Sequence, residues 1–228
     1  MAVTSRRWQL VGLILATLAC MACNPLTATY FLFVGMDPKF DPKFKLAGND
    51  KKKPTKVVVL TSTPQLELRP ELIGAERELA TLFAQILQQG CEKNKESIMI
   101  ASPTKVQKFK DDHPSWQSLS LEEIGKKLET DFIVELEIRE MSLYEAGSQN
   151  TFFKGRTAIS VTVADVREPG KNPVFSEEYT GEFPRSQGPR LVTDTNPQKF
   201  RREFLTRVAA ELTWLFTAHP TQDQYNCE

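Results

Sequence analysis

The run Lys56-Val57-Val58-Val59-Leu60-Thr61 constrains the fold of this chain more than any other segment. Successive side chains on a strand point to opposite faces of the sheet. Consecutive apolar, mostly β-branched residues therefore make a strand that must be covered on both sides, as at the centre of a parallel sheet with helices above and below. A chain organised around such a strand belongs to the α/β class.

The downstream pattern supplies the covering elements. Leu72, Ala75, Leu79, Leu82, Phe83, Ile86 and Leu87 recur at helical spacing, with Pro70 suited to the first turn and Gly90 to the stop. Ser97–Ala101 reads as a second buried strand. Ser102-Pro103 reads as a cap and first-turn pair opening a brief helix through Val106 and Phe109. Ser120-Leu121-Glu122-Glu123 has capping-box spacing ahead of an apolar face of Leu121, Ile124 and Leu128, a helix ending near Glu129.

Strands dominate the next stretch. Val134, Leu136 and Ile138 alternate with Glu135, Glu137 and Arg139, so one face is buried and one is wet; Met141 and Leu143 then hold the opposite parity, which a β-bulge near Arg139-Glu140 explains. Ile159, Val161 and Val163 alternate in a further strand, and a Pro-Gly turn within Asp165–Pro173 leads to a partner running to about Phe183. Asn196-Pro197 caps a closing helix with the stripe Phe200, Phe204, Val208, Leu212 and Leu215. The expected order is β-α-β-α-α-β-β-β-α, a mixed sheet of about five strands in one α/β (α+β-like) domain of two or three layers over residues 56–218. Its first half is expected to be parallel and its second antiparallel.

The amino terminus reads as an address. Arg6 and Arg7 precede an apolar run from Leu10 to Ala19, which meets Cys20, Cys23 and Asn24-Pro25 before reaching the roughly 20 residues that a spanning helix needs. That is the layout of a secretory signal over residues 1–22. The segment resembles a bacterial lipoprotein signal, which implies lipid on Cys23, with Cys20 the alternative, since each follows an alanine. An uncleaved anchor continued by Tyr30–Val34 is the rival reading. Residues 23–55, with the near-repeat Asp37-Pro38-Lys39-Phe40 and Asp41-Pro42-Lys43-Phe44 and the run Lys51-Lys52-Lys53, read as a tether whose cations are either solvated or near anionic lipid; residues 219–228 read as a polar tail.

Charge narrows the partners. Lys plus Arg and Asp plus Glu number 29 each, so no global field draws nucleic acid. Outside the signal only Cys91 and Cys227 remain, too few for a disulfide framework, and they are expected unpaired.

Three local features resemble the envelope lipoprotein domains that share the amino-terminal fold of TolB, namely the penicillin-binding-protein activator and curli-secretion lipoprotein families. Leu79–Gly90 is similar to their long helix ending in glycine. Thr130-Asp131-Phe132 after Ile124–Leu128 is similar to their helix passing into an Ala-Asp-Tyr-like strand start. Asp165–Val174 is similar to their hairpin turn. The resemblance covers residues 56–216 and implies an α/β domain in the bacterial envelope; it transfers no binding residue.

Chemistry is thin. His113 and His219 each precede a proline in polar sequence and read as exposed turn residues, too few for a zinc site. No nucleophile elbow, Walker loop or Gly-x-Gly-x-x-Gly is present. Glu135, Glu137 and Glu140 share one strand, and Glu135 and Glu137 have a spacing an acid/base pair could use, yet the same alternation marks any half-exposed strand. No cofactor and no metal are expected, and the chain reads as a non-enzyme acting by protein contact outside the cytoplasm, on the periplasmic side of a bacterial membrane, with an envelope partner or a homo-oligomer as the contact. Trp116, Tyr144, Arg139 and Arg156 are the candidate contact residues, with Lys154 on the same wet strand face and Trp214 beside the closing stripe. A periplasmic domain binding a small molecule or glycan, with weak hydrolysis through the strand carboxylates, is the alternative.

Overall fold

The computed structural model describes residues 39–48, 53–63 and 69–221. The signal, Cys20, Cys23, the apolar patch Tyr30–Val34, Lys51, Lys52 and Cys227 lie outside the described residues. The chain divides into two units between Lys39 and Phe40, and the second holds the main sheet and its helices.

The predicted element order is present: β1 (Thr55–Ser62), α1 (Ala75–Lys93), β2 (Ile98–Ile100), α2 (Pro103–Asp112), α3 (Leu121–Leu128), β3 (Phe132–Tyr144), β4 (Phe152–Asp165), β5 (Phe175–Phe183) and α4 (Pro197–Thr213). A two-residue strand, β6 (Arg190–Leu191), precedes α4 and pairs with the start of β4, so the sheet has six strands. The main path runs β2-β1-β3-β4-β5; β1 is parallel to both neighbours, and β3-β4-β5 are antiparallel.

β1 is central, and Val57, Val58, Val59 and Leu60 are all buried. Val57 and Val59 join the large core under α1 and α4 with Leu79, Phe83, Phe204 and Leu212, whereas Val58 and Leu60 join a smaller core with Val106, Phe109, Ile124 and Leu128 from α2 and α3. Each Leu or Phe so buried contributes about 1.5–3 kcal/mol. The fold has three layers over the parallel half, while α2 and α3 leave the outer face of β4 and β5 uncovered.

Local signals act as their chemistry requires. The Ser102 hydroxyl accepts from Lys105 N, Ser120 and Glu123 form both halves of a capping box, and Asn196 Oδ1 accepts from the amides of Gln198 and Lys199. The β3–β4 register shifts between Ile138 and Glu140, the bulge that carries Met141 and Leu143 back to the core.

Four expectations need correction. Pro70 opens a 3-10 turn (Pro70–Leu72), and α1 begins only after Gly74, which is left-handed at φ 79°. Gly90 does not end α1, which continues to Lys93; it is small because a Cβ there would lie 2.8 Å from Thr217 Cγ2. Strand β2 is not buried on both faces: it is a sheet edge, and Met99 is 54% exposed. Residues 44–47, placed in the 23–55 tether, pack instead on the body: Leu46 is in the core, and the Phe44 ring sits 5.9 Å from Phe132 and 5.5 Å from Phe175. The Phe44 amide donates to Leu215 O at 2.9 Å, a tertiary bond that spacing along the chain does not reveal.

Candidate functional site

Even-numbered residues of β4 up to Thr162 and of β5, with the outward residues of β3, form the sheet face that α2 and α3 leave bare; Ser160 within it is buried among the longer side chains, and Ala164 beyond it is fully buried. Odd positions of β4, from Phe153 to Val163, point to α4; Gly155 allows Phe204 to lie against the strand, since a Cβ there would be 2.5 Å from Phe204 Cδ2. The outward side therefore carries Lys154, Arg156, Ala158, Ser160 and Thr162, flanked by Glu137 and Arg139 on β3 and by Glu178, Thr180 and Glu182 on β5.

The charges are arranged across the strands. Arg139 reaches Glu137 at 3.6 Å and, over the small Ser160, Glu178 at 3.4 Å. Arg156 lies 3.0 Å from Glu145 and 3.5 Å from Glu182, and Lys154 lies 2.5 Å from Glu182. The Glu145 carboxylate raises the Arg156 guanidinium further above its ordinary value, and the hydrogen bond from Lys154 holds Glu182 below the ordinary carboxylate value. Such solvent-exposed pairs contribute about 0–1 kcal/mol each, so their value to the fold is small. Between them a shallow trough of about 460 Å³ is lined by Arg156, Ala158, Thr180, Glu182 and Arg185.

The other two contact candidates are elsewhere. Tyr144 lies at the end of β3, half-buried and stacked on Phe153 at 5.2 Å. Trp116 sits in a 3-10 turn (Trp116–Ser118) at the carboxyl end of β1, with the Lys110 ammonium 4.7 Å from its ring. Lys110 is held by Thr61 O at 2.6 Å and Glu76 Oε1 at 2.7 Å. Trp116 lines two clefts: one of about 590 Å³ with Glu76, Arg77, Gln107 and Met141, and one of about 310 Å³ with Ser62, Leu121, Glu135 and Glu137. Burial raises the Glu135 carboxyl above its ordinary value, against the hydrogen bond donated by the Ser62 hydroxyl. Glu140, at the bulge, is exposed and lines the trough instead of joining Glu135 and Glu137.

A buried polar cluster went unseen in the sequence. Arg207 and Glu211, one turn apart on α4, are 7% and 6% exposed. Arg207 Nε donates to Glu211 Oε1, the Tyr179 hydroxyl donates to Oε2 at 2.8 Å, and Arg185 Nη2 donates to the same oxygen at 2.5 Å. The Trp214 ring lies 5.4 Å from the Arg207 guanidinium. Burial, and then the adjoining Glu211 carboxylate, push the Tyr179 phenol far up, so it stays a donor. The cluster ties strand β5 to α4. The i, i+4 spacing of Arg207 and Glu211 was the available signal, but the same spacing is ordinary on exposed helix faces.

His219 departs from its expected place. It is buried, stacked on Trp214 at 4.6 Å and 5.6 Å from the Phe40 ring, because the chain turns back across the end of α4 instead of leaving as a tail. His113 is half-buried, stacked on Phe109 at 4.6 Å. Cys91 is buried in the core, and burial, reinforced by Glu96, pushes its thiol well above the ordinary value, so it is uncharged at neutral pH. Among the described residues no group of three or more His, Cys, Asp or Glu side chains could hold a metal ion, and no helix is long and apolar enough to cross a membrane.

No protein-family model matches the chain, and no curated protein matches it. Among solved structures it is similar to the PelC dodecamer from Paraburkholderia phytofirmans (10% identity over 77% of this chain and 95% of that one, TM-score 0.39). It is also similar to lipoprotein GNA1162 from Neisseria meningitidis (10% identity, 64% and 90% covered, TM-score 0.42) and to a neuraminyllactose-binding hemagglutinin homolog from Helicobacter pylori (10% identity, 76% and 90% covered, TM-score 0.35). Overlaps of this size leave the role of the chain to its own residues.

Proposed function

We propose that the chain is a non-catalytic protein of a bacterial cell envelope, exported by its amino-terminal signal, held to a membrane by lipid on Cys23 or Cys20, and active through contact with an envelope protein or with copies of itself. The observation that carries the contact role is the uncovered face of β3, β4 and β5. A three-strand ladder of alternating charge around small residues stabilises the fold little, yet it discriminates between partners, because a mismatched charge on a docking surface costs several kcal/mol. Arg139 and Arg156 are the central cations of that face.

The test uses the lipidated chain in its native envelope, with a photo-crosslinking side chain at Ala158 in the trough. A discrete adduct that disappears in the Arg139→Glu, Arg156→Glu variant supports the reading, and its mass separates self-association from a different partner. Equal adducts from Ala158 and from a control site at Arg202 on α4, or none, refute it. The tether has its own test: intact mass of the mature protein gives the modified cysteine and the lipid.

The clefts on either side of Trp116 favour a second reading, a site for a small molecule or glycan, since indole, amide and carboxylate groups converge there. Its check is quenching of tryptophan emission by a panel of envelope saccharides, with the response abolished in Trp116→Phe; no response in the native protein removes this reading.

A further inference from the structure

We propose that the end of the body where β1 and β3 begin is a membrane-facing surface that rests on anionic lipid headgroups. The proposal rests on the tethered reading above and adds the orientation of the body to it.

The topology gathers cations at that end. Lys53 and Lys56 flank the start of β1, Lys93 and Lys95 lie where α1 ends, and Lys126 and Lys127 are in the last turn of α3. Backbone bonds bring these ends together: Thr55 N donates to Ser97 O at 3.0 Å, and Asp131 N donates to Lys56 O at 2.9 Å. All six lysines are exposed, and among the described residues none of them joins the ion pairs that occupy Lys43, Lys110, Lys154, Lys171 and Lys199. The carboxylates at the same end are Asp165 and Glu168 on the β4–β5 turn, which pair with Arg167 and Lys171, and Glu92, Glu96, Glu129 and Asp131. Two of these are turned to internal work, Glu96 accepting from the Thr217 hydroxyl and Asp131 from the Lys56 amide.

Helix dipoles account for lysines in the last turns of α1 and α3. They do not account for Lys53 and Lys56, which stand at a strand start, nor for the exposed apolar side chains elsewhere on that end. Phe40 is 45% exposed and Val174 is 37% exposed; Val174 lies at the start of β5, its amide on Val163 O, on the same end of the sheet. Lysines interspersed with exposed apolar groups form the composition of a surface that meets lipid headgroups.

Chain length adds the third argument. With Phe44 and Leu46 packed on the body, the connection from Cys23 to Phe40 is much shorter than the 23–55 tether read from the sequence, and fully extended it spans at most about 60 Å. Phe40, where that connection joins the body, is on the lysine-bearing end, so the anchor draws this end toward the bilayer.

The experiment takes the lipidated full chain, purified in detergent and reconstituted into vesicles of phosphatidylcholine alone or mixed with phosphatidylglycerol. Flotation reports binding, and mass spectrometry after brief amine acetylation reports the exposure of each lysine. Lys199, exposed at the opposite end at the start of α4, is the internal reference. The expected result is flotation with both vesicles, and acetylation of Lys53, Lys56, Lys93, Lys95, Lys126 and Lys127 about fivefold slower relative to Lys199 on the anionic vesicles only. High salt should restore the rates, and so should the Lys93→Glu, Lys95→Glu, Lys126→Glu, Lys127→Glu variant at the two lysines it retains. Flotation with both vesicles but equal acetylation overturns the membrane-facing surface and leaves the tether standing. Flotation only with anionic vesicles, lost in the four-glutamate variant, overturns the tether and keeps the surface. Flotation with neither overturns both.

Discussion

Glu211→Gln tests what holds strand β5 to α4. Glutamine preserves the shape of the side chain but removes the charge that Arg207 faces, and both positions are nearly closed to solvent, with side chains 4% and 7% exposed. Removing one partner of a buried pair leaves an uncompensated buried charge, which costs about 3–5 kcal/mol. The Tyr179 hydroxyl bond accounts for about 1 kcal/mol of such a loss. The arm to Arg185 adds less than about 1 kcal/mol, because that side chain is nearly half exposed. A loss of about 4 kcal/mol is a large part of the 5–15 kcal/mol that typically separates a folded domain from its unfolded state, and for a body of this length it lowers Tm by roughly 8–16 °C. Urea unfolding followed by far-ultraviolet circular dichroism measures it. The paired change Arg207→Met, Glu211→Leu removes both charges and leaves the Tyr179 hydroxyl without its acceptor, so it should lie only about 1–2 kcal/mol below the native protein and well above the single variant. A Glu211→Gln loss below about 1 kcal/mol, or a double variant as unstable as the single, refutes the reasoning.

Gly155→Ala should cost about 1–3 kcal/mol in the same assay, because its new methyl overlaps Phe204, while Gly188→Ala, with nothing within 4 Å, should change little. Ser120→Ala removes the acceptor for Glu123 N and one half of the capping box, and is expected to lower stability by about 1 kcal/mol. Asp165 makes a pH prediction: hydrogen bonds from Arg167 hold its folded pKa below the ordinary 3.8. Its contribution is therefore present above that value and lost as pH falls through the lower, folded one. Asp165→Asn should then be less stable than the native protein at pH 7, and the gap should close on acidification below about pH 3.8; a gap that persists at low pH contradicts the assignment.

Elements whose stability is local were legible in the residues alone. The caps at Ser102, Ser120 and Asn196 are set by side-chain oxygens two or three residues from the amides they serve, and the bulge after Ile138 shows as a change of parity. Because four neighbouring apolar residues on one strand need cover on both faces, Val57–Leu60 determined the α/β class, and the alternation through β3, β4 and β5 determined which residues face outward. Arg139 and Arg156 lie on the solvent-facing side of that alternation. What no window of sequence contained was decided by surfaces meeting across the fold. Gly90 reads as a stop until Thr217 is seen against it; His219 and Phe44 read as tail and tether until the end of α4 and the rings of Phe132 and Phe175 cover them. Arg207 and Glu211 read as an exposed helical pair until Tyr179 arrives from another strand. In each case the deciding free energy is desolvation by a segment distant in sequence, which local spacing does not encode. The gathering of lysines at one end of the sheet has the same origin, since only the joining of two strand starts with two helix ends makes one surface of residues spread from Lys53 to Lys127.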